Sequence, residues 1–208
     1  MEAMNARYVK ICGLQTAETV IATVTAGADA IGFVFAPGSP RTVTAETAAN
    51  LTALVPSGIE TVGVFRNQPI GEVMAIAEAA KVSTVQLHGN ETLTEMQQLK
   101  DAGFQTLRAF SIDAYAALST PEREKWDQER LLLDAVEPGA GVTFDASTLT
   151  GGWPSGFWLL AGGLNPENVS GLIAELHPHG VDVSSGVESA RGIKDISLIQ
   201  DFIRAARG

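Results

Sequence analysis

Cys12, the only cysteine in the chain, closes the apolar run Tyr8-Val9-Lys10-Ile11-Cys12 and is followed at once by Gly13. A thiol where a strand turns toward a helix can serve as base or nucleophile, provided nearby positive charge favours its thiolate. Asp134 ends the similar run Leu131-Leu132-Leu133-Asp134, His88 follows Val85-Gln86-Leu87, and Asp182 and Ser184 alternate with Val181 and Val183. Carboxyl, imidazole and thiol groups gathered at one end of several strands suit acid-base chemistry, in which one group delivers a proton and another removes one. Each has a bland reading too. A lone cysteine is often a small buried apolar residue, and His88 could simply hydrogen-bond a helix N-terminus.

A second chemistry is written in glycine. Gly162 and Gly163 open the stretch Gly162-Gly163-Leu164-Asn165-Pro166-Glu167-Asn168, and Ser184, Ser185 and Gly186 lie in Asp182-Val183-Ser184-Ser185-Gly186-Val187-Glu188. Residues without side chains let backbone amides approach an anion, and a short helix beginning at Ser185 would aim further amides at the same point. Asn165 and Pro166 read as N-cap and first residue of another helix. A third group, Gly139-Ala140-Gly141, adds amides to this cradle through Gly141 or forms a lid over it. The expected ligand is a phosphate monoester.

The elements that must position these groups alternate along the whole chain. Strands are expected at Tyr8 to Cys12, Ala30 to Phe35, Ile59 to Phe65, Thr84 to Leu87, Gln105 to Phe110, Leu131 to Asp134, Phe157 to Ala161 and Val181 to Ser184. Helical patterns follow at Thr16 to Ala26, Thr44 to Leu54, Ile70 to Ala80, Thr92 to Ala102 and Ile196 to Ala206, with Gly103 as a C-terminal stop. Eight such units spanning residues 1–208 give a single-domain α/β protein, a (β/α)8 TIM barrel. The rival open doubly wound sheet lacks its GxGxxG fingerprint, since Cys12-Gly13-Leu14-Gln15 stands in that place. Alternation along barrel strands turns Lys10 and Cys12, Gln86 and His88, Asp134, and Asp182 and Ser184 inward. Arg108, between Leu107 and Ala109, is expected to point inward with them, Lys10 and Arg108 then forming an interior ion-pair layer.

Composition narrows the partners. The chain has 208 residues, 45% of them apolar, and 14 basic against 24 acidic side chains give a formal charge of -10. That charge disfavours nucleic acid and anionic membrane surfaces, and no run approaches the roughly 18 apolar residues of a membrane span. One cysteine and three scattered histidines offer no metal-ligand spacing, so no metal is expected. Residues 1–7 lack the character of a signal peptide, which points to the cytoplasm. We expect a monomer or weak homodimer.

Taken in order, Lys10-Ile11-Cys12-Gly13-Leu14, the run from Gly27 to Phe35, Ser39-Pro40-Arg41, Val62-Gly63-Val64-Phe65, Val85-Gln86-Leu87-His88-Gly89, Leu132-Leu133-Asp134, Thr143-Phe144-Asp145, Gly162 to Asn168 and Asp182 to Glu188 closely resemble the phosphoribosylanthranilate isomerases of tryptophan biosynthesis. The resemblance runs from end to end. It implies a cofactor-free Amadori rearrangement of a phosphorylated aminoaldose, with Asp134 as general acid and Cys12 as general base. It also implies Arg41 at the anthranilate carboxylate, where a guanidinium can bind through paired hydrogen bonds. His88 and Asp182 are further substrate contacts on this reading. Pro138-Gly139-Ala140-Gly141 and Ala146 depart from the family's usual loop and its tryptophan. The analogous isomerase of histidine biosynthesis uses an aspartate where Cys12 stands, and a non-catalytic phosphate-ligand sensor would not need Cys12 and Asp134.

Overall fold

The computed structural model describes residues 7–134 and 152–208. Eight parallel strands close into a barrel in sequence order: β1 (Tyr8–Cys12), β2 (Ala30–Val34), β3 (Glu60–Phe65), β4 (Thr84–Leu87), β5 (Gln105–Ser111), β6 (Leu131–Asp134), β7 (Trp158–Ala161) and β8 (Gly180–Val183). Closure is made by β8 pairing with β1, with Lys10 opposite Asp182. Around the barrel lie α1 (Ala17–Thr25), α2 (Ala45–Thr52), α3 (Ile70–Ala80), α4 (Leu93–Asp101), α5 (Ile112–Ala116), α6 (Thr120–Trp126), α7 (Val169–Leu176) and α8 (Ile196–Arg207). None of the helices described is long and apolar enough to cross a membrane.

Local chemistry explains where the helices begin. Thr16, Thr44 and Thr92 accept from the amides of Thr19, Thr47 and Glu95, and Glu95 returns a bond to the Thr92 amide, which completes a capping box. Asn165 and Pro166 do not start α7. The Asn165 side chain instead accepts from the amides of Glu167 and Asn168 in a turn, and α7 begins at Val169.

Two faces of each strand build two cores. Val9, Ile11, Phe33, Phe65, Val85, Leu87, Leu131, Leu133, Val181 and Val183 pack outward under the helices. Inside the barrel, Leu107, Ala109, Leu132, Leu159 and Ala161 form one apolar patch, and Cys12, Val34 and Val64 form another. Arg108 therefore departs from the sequence expectation. It is registered with outward-facing Leu87 and Leu131, it stacks over Phe110 at 4.3 Å, and it donates to the carbonyls of Leu87 and Gly89 at 2.9 and 2.7 Å. The interior at this level is apolar, so polarity was the wrong guide to the face.

The N-terminal mouth is closed by a polar plug. Arg130 donates to both oxygens of Glu60 at 2.7 and 2.9 Å, and Tyr8 and Thr84 hydrogen-bond the same carboxylate. Burial alone would raise Glu60, but these donors hold it near a pKa of about 2. Arg130 also lies over Phe157 at 5.2 Å and Tyr8 at 5.8 Å. Polar groups at this end of a barrel belong to stability.

Candidate active site

At the opposite, C-terminal mouth, inward alternation brings the ends of β1, β4, β6 and β8 together. Lys10 is fully buried, and its ammonium donates to Asp182 at 2.8 Å. Leaving such a cation unpaired would cost several kcal/mol, so the pair is required by burial. Burial works to lower Lys10, yet Asp182, with Cys12 nearby, holds it above the ordinary lysine value.

One step closer to the rim, Cys12 is buried beside Val34 and Val64. Burial pushes its thiol above the usual value, while Lys10 and Lys194 pull the other way and Asp182 adds to the rise. Lys10, two residues away on the same strand, is a source of positive charge for a thiolate. Its pairing with Asp182 makes the two together nearly neutral, so burial prevails.

Across the mouth, His88 Nε2 stands 3.7 Å from Asp134 Oδ2, and Gln86 Nε2 lies 3.4 Å from His88 Nδ1. Burial depresses the imidazole pKa, which keeps the ring neutral. The strand ending is fixed from behind. Glu91, itself buried, accepts from the amides of Gly89 at 2.7 Å and Asn67 at 2.6 Å, while Arg108 takes the Gly89 carbonyl.

Arg41, in the loop after β2, folds over this mouth. Gly13 makes room for it: with φ at +79°, it lies so close that a Cβ there would meet Arg41 Cδ at 2.6 Å and Ser184 Oγ at 3.2 Å. Nε and Nη2 of Arg41 donate to Glu188 at 2.6 and 2.8 Å, a forked pair. A guanidinium has five N–H donors, so the Nη1–Nη2 edge can still receive a second carboxylate.

Glu188 belongs to a short antiparallel hairpin, β9 (Glu188–Ala190) with β10 (Ile193–Lys194), in which Glu188 is registered with Lys194. Lys194 donates to Glu188 at 2.9 Å and to Ser184 through its carbonyl at 2.7 Å and its hydroxyl at 3.3 Å. Against the effect of burial, Arg41, Lys194 and the Gly192 amide hold Glu188 at a pKa of about 2. This hairpin was not read from the sequence. The signal was there in Gly192, which ends the turn at φ +83° and lets Glu188 and Lys194 face each other.

The glycine loops also meet. Ser185–Val187 forms a single 3-10 turn after β8, so the amides of Ser185 and Gly186 have no acceptor within the turn. Gly186 packs so closely on the loop after β7 that a Cβ would collide with the Leu164 carbonyl. Gly162 and Gly163 open that loop at φ +88° and +64°. Thus Cys12, Arg41, His88, Asp134, Gly162, Gly163, Asp182, Ser184, Ser185 and Gly186 all lie at the C-terminal mouth, whereas Gly141 lies outside the described residues.

Comparison with known proteins agrees with this geometry over the full chain. Residues 9–205 match the family described as N-(5'phosphoribosyl)anthranilate (PRA) isomerase. The N-(5'-phosphoribosyl)anthranilate isomerase of Geotalea uraniireducens is 39% identical over 204 residues, covering 96% of this chain and 98% of its own. Among solved structures, TrpF from Jonesia denitrificans superposes with a TM-score of 0.86 at 44% identity, covering 98% of both chains. A phosphoribosyl anthranilate isomerase in complex with reduced 1-(o-carboxyphenylamino)-1-deoxyribulose 5-phosphate gives 0.82 at 33% identity, with 97% of this chain and 99% of that one covered. The chain belongs to the N-(5'-phosphoribosyl)anthranilate isomerase family.

Proposed function

We propose that the protein catalyses the Amadori rearrangement of N-(5'-phosphoribosyl)anthranilate to 1-(2-carboxyphenylamino)-1-deoxyribulose 5'-phosphate, the third step from chorismate in tryptophan biosynthesis. The observation that carries the reading is that Cys12 and Asp134 end β1 and β6 on the inward side of one barrel mouth. Chemistry in this architecture is done at that mouth.

In this reading the phosphate binds at Gly162, Gly163, Ser184, Ser185 and Gly186, and the anthranilate carboxylate lies on the outer edge of Arg41. Asp134 protonates the furanose ring oxygen as the C1'–O bond breaks, and the amine lone pair forms the cationic Schiff base. Cys12 removes the C2' proton, and the electron pair of that C–H bond forms the enolamine, which tautomerises to the ketone. C2' is oxidised as C1' is reduced, so the reaction is balanced within the substrate and needs no cofactor. The positive Schiff base helps the thiol ionise, because it brings to Cys12 a charge that Lys10 and Asp182 together do not provide. His88 and Asp182 face the substrate between acid and base.

The reading carries with it a cytoplasmic enzyme, monomeric or weakly homodimeric, acting on a small phosphorylated substrate. Purified protein should abolish the fluorescence of phosphoribosylanthranilate catalytically. Binding without turnover would overturn the enzyme reading in favour of a phosphate-ligand sensor.

A further inference from the structure

The charges around Cys12 come from several elements: Lys10 on its own strand, Asp182 on β8, Arg41 in the loop after β2, and Glu188 and Lys194 on the β9–β10 hairpin. His88 and Asp134 face each other at 3.7 Å on the other side of the mouth. Lys10 is matched one to one by Asp182. Arg41 and Lys194, by contrast, share a single carboxylate, Glu188, among the described residues, so that this three-residue cluster carries one more positive than negative charge.

Of the two cations, Lys194 is the less screened. Its side chain is 2% exposed against 19% for Arg41, so its field crosses protein rather than water. Its three hydrogen bonds run to acceptors, the Ser184 carbonyl, the Ser184 hydroxyl and Glu188, which is the arrangement of an ammonium with all three protons engaged. Ser184 Oγ in turn lies 3.2 Å from where a Cβ on Gly13, the residue after Cys12, would stand.

We propose that Lys194 is a positioning residue of this reaction, acting through Cys12: its buried ammonium adds to the thiolate stabilisation given by Lys10, whose own charge is largely offset by Asp182. The catalytic meaning rests on Cys12 being the base, but the electrostatic effect is measurable without turnover.

Because the chain has one cysteine, the pH dependence of iodoacetamide alkylation of the free enzyme reports Cys12 alone. Lys194→Met should raise the midpoint by about one unit, seen as about tenfold slower alkylation below it. Lys194→Arg should restore most of the difference. Glu188→Gln removes the shared negative charge and should move the midpoint down with the plateau alkylation rate at high pH unchanged, whereas a merely loosened hairpin would also raise that plateau by exposing the thiol. An unmoved midpoint in a folded Lys194→Met variant, or equal shifts in the Met and Arg variants, would overturn the proposal. Should the Met variant fail to fold, Glu188→Gln decides: an unmoved or raised midpoint defeats the idea. Full turnover by Cys12→Ser would instead remove Cys12 from the reaction while leaving these midpoint shifts standing.

Discussion

Arg41 and Glu188, separated by 147 residues in sequence, form a forked ion pair at 2.6 and 2.8 Å over the mouth of the barrel. Arg41 reaches across from the loop after β2 to the hairpin after β8, so one guanidinium ties together loops from both sides of the closing strand β1. The pair fixes the angle at which the remaining edge of Arg41 meets a ligand. With one side of the guanidinium already held by Glu188, the proposed carboxylate contact on its other edge would need less ordering on binding.

Arg41→Ala should therefore raise KM by the equivalent of about 1.5 to 3 kcal/mol, the range for hydrogen bonds to charged groups. Arg41→Lys should recover little of this, because a lysine keeps the charge but not the fork. Steady-state kinetics on both variants check the point, and an unchanged KM in Arg41→Ala would remove the contact.

The proposed phosphate cradle depends on the close approach of Gly186 to Leu164. A methyl group there must push the 3-10 turn and the loop after β7 apart, since it meets backbone rather than a movable side chain. Gly186→Ala should weaken competitive inhibition by inorganic phosphate and raise KM by about tenfold or more, the loss of roughly one charge-assisted hydrogen bond. Equal inhibition constants for variant and wild type would place the phosphate elsewhere.

The strands and the helical stretches beginning near Thr16, Thr44 and Thr92 were legible because they are written locally, in apolar runs and helical periodicity. So were Cys12, His88, Asp134, Asp182 and Ser184, whose inward orientation follows from alternation against Val, Ile and Leu. Arg108 was misread because alternation gives two faces without saying which is inside. In a small barrel the interior itself takes Leu107 and Ala109, and only the register with Leu87 and Leu131 reveals that Arg108 faces out. Lys194 and the Arg130 plug were missed for another reason: their partners, Ser184 and Glu188 for one and Glu60 for the other, become neighbours only when the barrel closes.

Acid stability should report that plug. Glu60 is held at about 2 against an ordinary 4.5, so its folded form binds the proton less readily than the unfolded chain does. Its contribution is then complete above 4.5 and is lost as the pH falls toward 2. Glu60→Gln should cost about 1 to 3 kcal/mol at neutral pH by leaving Arg130 without its carboxylate. The gap from wild type should narrow as pH drops through that window, as read from urea unfolding midpoints, and a gap that stayed constant would show that the carboxylate's charge is irrelevant.

The acid and the base act on different atoms at different steps, so each should be separately necessary while the fold survives the loss of either. Asp134→Asn preserves shape but supplies no carboxylic proton to the ring oxygen. Cys12→Ser preserves size in its pocket beside Val34 and Val64 but offers a hydroxyl far less acidic than a thiol. Each should lower kcat by about 10²-fold to 10⁴-fold, the loss typical of general acid-base catalysis, with a native circular dichroism spectrum. EDTA should leave the rate unchanged, since neither step as proposed uses a metal. The two variants also separate the steps: Asp134→Asn should block ring opening, whereas Cys12→Ser should still open the ring and lose deuterium-sensitive removal at C2'. Wild-type kcat in Cys12→Ser would reduce the thiol to a packing residue and shift the search for the base to Asp182, whose bond to Lys10 at 2.8 Å would then have to open during the reaction.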